Sequence, residues 1–88
     1  MNTTKDHVDQ HEANFSVLIM SIASTALMSL GLAPDEKGET HVDMALARFN
    51  IDLLMMLKEK TKNNLNVEES RFLESLVHDL QAKYVMKS

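Results

Sequence analysis

From Phe15 to Ala33 the chain runs nineteen residues without a charged side chain, and thirteen of them are apolar. A stretch of that length can span a bilayer, form the apolar part of a secretory signal, or fold as a buried core helix, and each outcome demands different surroundings. A signal segment needs a basic approach, whereas Lys5 is outnumbered here by Asp6, Asp9 and Glu12. A spanning helix is expected to carry Lys or Arg just outside one end and Trp or Tyr at the interface, but the flanks are acidic and lack both aromatics. Ser16, Ser21, Ser24, Thr25 and Ser29 also interrupt the stretch with hydroxyls. The expectation is a buried core helix, with membrane insertion of Phe15 to Ala33 as the alternative.

The rest of the chain sets the scale of the fold around that helix. With 88 residues the chain is long enough for one small domain. Two glycines and one proline leave few places to break a helix. Residues 1–14 are polar, show no helical stripe and read as a flexible tail. Asn14 is placed to cap a first helix over about 15–30, and Gly31 stands where a left-handed C-cap is wanted. On a helical wheel Phe15, Ile19, Ile22, Ala23, Ala26, Leu27 and Leu30 share one face, while Ser21, Thr25 and Ser29 line another at i, i+4, i+8, where each hydroxyl can bond back to a carbonyl. The segment 33–41 is an acidic loop containing Pro34 and Gly38.

A second helix is expected over about 42–60, capped near Thr40 or Asp43. Its main apolar face reads as Ala45, Leu46, Phe49, Leu53, Met56 and Leu57, with a second patch of Met44, Ile51 and Met55 far around the wheel. Asn63 or Asn64 suits a left-handed turn, and Asn66 with Glu69 forms a capping-box pattern that starts a third helix over about 67–86. Phe72, Leu73, Leu76, Val77, Leu80 and Tyr84 make a single stripe on it. The fold class is all-α: three helices in a small bundle over residues 15–88.

A bundle of three helices buries about one stripe on each. The first two helices carry more apolar surface than that, which predicts completion by oligomerisation, most simply as a homodimer. Phe15, Ile19, Ile22, Ala26, Met44, Ile51 and Met55 are the expected interface residues. The net charge of -4 lies in the tail and the first loop, so the helices are neutral and do not repel their copies. No basic concentration suits a nucleic acid or an anionic membrane. The absence of cysteine excludes a disulfide scaffold, a thiolate metal site and a cysteine nucleophile, and agrees with a cytoplasmic location.

Catalytic patterns are missing. The helical serines have no neighbouring base, two isolated glycines cannot build a phosphate loop, and no enzyme or cofactor is predicted. His7 and His11, spaced i, i+4 in the tail with Asp6 or Glu12 nearby, are weak candidates for metal or small-ligand binding, outweighed by the chance occurrence of such pairs. His41 in the loop and His78 off the stripe of the third helix read as solvated side chains. Arg48 and Asp52, four apart, read as a surface pair that could instead reach across a subunit interface. The expected function is that of a non-enzymatic, self-associating helical module acting through protein–protein contacts.

The segments FSVLIMSIASTALMSLG and ARFNIDLLMMLKEKTKNNLNVEESRFLESLVHDLQAKYV, covering Phe15 to Val85, resemble the small bacterial family catalogued as domain of unknown function 1844. The most specific pieces are the SxxSTALxxLG end of the first helix, the IDLLxxLxEKTKxNL segment and Tyr84. Asn63 stands where the family commonly has Gly, and Gln81 and Lys83 where it often carries arginines. The resemblance implies a short helical cytosolic protein and brings no activity with it.

Overall fold

The computed structural model describes residues 13–88. The expected polar tail up to residue 12, with His7 and His11, lies outside them. Three helices follow in order, α1 (Phe15–Ser29), α2 (Met44–Lys60) and α3 (Val67–Lys87), and every pair of them packs together.

The helix boundaries are set by local hydrogen bonds that the sequence encodes. The Asn14 side chain accepts from the Val17 N–H at 2.9 Å and opens α1. At its other end Gly31, with φ 74°, turns left-handed while Leu32 N–H reaches the Leu27 carbonyl at 3.0 Å and Gly31 N–H the Met28 carbonyl at 3.0 Å, a Schellman closure. A β-carbon at Gly31 would sit 2.7 Å from Val42 Cγ2, so both the dihedral and the space call for glycine. Of the two candidate caps for α2, Asp43 is the one used, its side chain accepting from Leu46 N–H at 3.0 Å. Asp43 N–H in turn donates to the Ser29 carbonyl at 2.7 Å, beside an isolated antiparallel bridge between Leu30 and Val42. The start of α2 is thereby clipped to the end of α1. Asn63 takes φ 70° in the next turn, and Asn66 and Glu69 form the full capping box of α3.

The core consists of Ile19, Ala23, Ala26 and Leu30 from α1 and its C-cap, Ala47, Ile51 and Leu54 from α2, and Leu73, Val77 and Leu80 from α3. Phe15, Ile22, Leu27, Phe72, Leu76 and Tyr84 pack against it, so α1 and α3 bury the faces their periodicity predicts. On α2 the outcome differs. The buried side is Ala47, Asn50, Ile51 and Leu54, whereas Leu46, Phe49 and Met56, expected to face the core, are 43, 56 and 47% exposed. Ala23 and Ala26 of α1 lie in the same buried cluster as Ala47 of α2, and small side chains on both helices permit close approach. Asn50 is tolerated inside because its Nδ2 donates to the Leu46 carbonyl of its own helix at 2.9 Å.

With 15 residues at 1.5 Å rise each, α1 is about 22 Å long, short of a hydrocarbon core of about 30 Å. No helix among the described residues is long and apolar enough to cross a membrane. Three hydroxyls on α1 bond back to its own carbonyls, Ser21 donating to the Val17 carbonyl at 3.0 Å, Thr25 to that of Ser21 at 3.2 Å and Ser29 to that of Thr25 at 2.8 Å.

Candidate interaction surface

The largest departure of this molecule from a self-contained bundle is the outer side of α2. Moving around that helix away from the core, one meets Arg48, Asp52, Ala45, Met56 and Phe49, all exposed, and then half-buried Leu53 and exposed Leu46. Large apolar side chains thus occupy the arc that in a monomeric bundle is polar. On α1, Val17, Leu18 and Met20 are likewise 45 to 53% exposed. Isolated exposed apolar residues are ordinary, but a contiguous row along one helix is the feature associated with contact surfaces.

Arg48 and Asp52 flank this row. Their closest approach is 4.0 Å between Arg48 Nε and an Asp52 carboxylate oxygen, with both side chains more than half exposed, a geometry that contributes little to stability within the chain. They also border a groove of about 490 Å³ between α2 and the end of α3, floored by Ile51 and lined by Met55, Gln81, Tyr84 and Val85. Gln81 Nε2 donates to the Met55 sulfur at 3.3 Å across it.

The seven expected interface residues divide. Ile19, Ala26 and Ile51 are consumed by this chain's own core; Phe15, Ile22 and Met44 are half-buried against it; Met55, 42% exposed, is the one left open on the surface. On α2 the exposed apolar row is instead Leu46, Phe49 and Met56, which periodicity assigns to the core because it carries the larger side chains.

His41 is not an isolated side chain. Its Nε2 lies 3.3 Å from Asp35 and 3.4 Å from Glu39, and the three offer ligand atoms within 4.8 Å of one another. Asp35 is the hub of the loop: its Oδ1 accepts from Lys37 N–H at 2.9 Å and Glu39 N–H at 3.0 Å. The Glu39 N–H is the main cause holding the Asp35 carboxyl below the usual carboxylate range, with the Lys37 N–H and the facing His41 acting in the same direction. Sequence spacing hides this cluster because the three residues share no regular element; they meet only through the turn at Gly38, whose φ is 79°. His78 is exposed on α3, as expected.

A family model described as a domain of unknown function, DUF1844, matches residues 12–86, that is, all three helices with their loops. The chain belongs to this family. Neither a curated protein nor a solved structure matches it. Membership of the DUF1844 family assigns no activity to any residue of the surface described above.

Proposed function

We propose that this chain is a non-enzymatic helical module that self-associates, with a homodimer as the simplest closed form, and acts through protein–protein contacts in the cytoplasm. The observation that supports it is the exposed row Leu46, Phe49 and Met56 on α2, left over after a complete core has formed on the opposite side of the same helix. These side chains are already about half buried, so withdrawing the rest of each from water contributes on the order of 1–1.5 kcal/mol, and a symmetric contact withdraws each of them twice. That sum is of the size needed to offset the entropy of association at micromolar concentration. A non-catalytic role is favoured by the state of the polar side chains: Ser21, Thr25 and Ser29 are bound to helix carbonyls and are not poised beside a base. Sedimentation or light scattering of the full chain at tens of micromolar is expected to give about twice the 10.0 kDa chain mass. A well-folded species of single-chain mass under those conditions overturns the proposal.

A further inference from the structure

The charges around the exposed row of α2 are arranged to fit a second copy of the same row. Resting on the self-association proposed above, we infer that two chains pair through α2 against α2 in antiparallel order, about a two-fold axis beside residues 50 and 51.

In an antiparallel helix pair, residues meet when their numbers add to a constant, so the register can be read directly. With a constant of 102, Leu46 opposes the partner's Met56 and Phe49 opposes the partner's Leu53, which brings the exposed apolar row onto itself. On the flank nearer the α2–α3 groove, a constant of 100 sets Arg48 against the partner's Asp52 and Asp52 against the partner's Arg48. The two constants differ by two residues, so an axis at residue 51 leaves each Arg48 about 3 Å along the helix from the partner's Asp52, which is within the reach of an arginine. One axis thus satisfies both the apolar and the charged half of the contact. Ala45, at the middle of the exposed arc, is the small residue that lets two helices approach there.

The ends of α2 carry the same message. Lys60 and Lys62, exposed at and just beyond its C-terminus, would lie at the level of the partner's residues 40–42. That places them beside the acidic loop that holds Asp35, Glu36 and Glu39 and beside Asp43. Antiparallel order also sets opposite helix dipoles side by side. A parallel pair would instead set the Arg48 and Asp52 flank against the partner's apolar flank, leaving those charges without opposite partners, and bring lysine ends to lysine ends, so charge selects the antiparallel orientation.

The decisive experiment mixes two self-repelling variants, Arg48→Asp and Asp52→Arg, each made in the full chain and checked for helicity by circular dichroism. Both positions are solvent-exposed, and both variants lose the same pair within the helix. Each variant alone is expected to dimerise at least about tenfold more weakly than the parent chain, since like charges then oppose each other across the axis. Their equimolar mixture is expected to recover association as a heterodimer, because the aspartates of one chain now face the arginines of the other. No effect confined to one chain can produce that recovery. A mixture that stays monomeric, or single variants that dimerise as the parent does, overturns the antiparallel α2 contact while self-association stands. A parent chain that is monomeric overturns self-association itself, and this contact with it.

Discussion

α2 and α3 pack into the same core but distribute their apolar side chains differently. α3 gathers Leu73, Val77 and Leu80, with Phe72, Leu76 and Tyr84, on one stripe and keeps its outer side for residues such as Glu74, His78 and Asp79. α2 carries two apolar sides, and the one it buries is the smaller, with Ala47 and Asn50 beside Ile51 and Leu54. The contrast teaches that the bulk of a helix face does not decide which way it points. Fit to the neighbour decides: α1 offers Ala23 and Ala26, and the α2 side that enters the core with them is the one with small residues. Most of the larger side of α2, with Leu46, Phe49 and Met56, stays exposed.

The comparison can be broken most forcefully at the core. Leu54→Ala and Leu73→Ala both remove side chains that are fully buried, and each is expected to lower unfolding free energy by about 2–5 kcal/mol in urea titrations. A loss under 1 kcal/mol at Leu54 would mean that the small side of α2 is not its core side. Next in size is Asn66→Ala, which removes half of the capping box that starts α3 and is expected to destabilise by about 1 kcal/mol. Asn66→Ser, retaining an acceptor, should recover most of it.

Phe49→Ala sharpens the contrast from the other side of α2. Measured at concentrations where the chain is monomeric, it should change stability by less than about 0.5 kcal/mol, in keeping with its exposure. At higher concentration the same substitution should weaken association, the opposite of what Leu54→Ala reports. A large loss of monomer stability would place Phe49 in the core after all.

The smallest effect is expected at the loop that leads into α2. Because the folded-state pKa of Asp35 is lowered, its ionised carboxylate favours the folded chain above the ordinary carboxylate range, and that contribution disappears as pH falls through the folded value. Asp35→Asn should therefore lower the thermal midpoint slightly at neutral pH and leave it unchanged in strong acid. A difference of equal size at both pH values would show that the Asp35 charge plays no part.

Much of the architecture is legible residue by residue, because it rests on interactions only a few positions apart. Asn14, Gly31, Asn63 and the Asn66–Glu69 pair sit at their helix ends with the dihedrals and hydrogen bonds that their chemistry favours. The carbonyl-bonded hydroxyls of α1 follow from the i, i+4 spacing, and the faces of α1 and α3 from a single apolar period each. Two features were not legible. The side of α2 that is buried depends on the shape of α1 across the contact, a property of two helices that no periodicity within one contains. The meeting of His41 with Asp35 and Glu39 depends on a loop whose path is closed by Asp43 N–H on the Ser29 carbonyl. The sequence by itself therefore determined where helices begin and end, since caps and periodicity act over a single turn; the tertiary structure alone decided which face of α2 turns inward, since burial is settled by complementary surfaces brought together from distant parts of the chain.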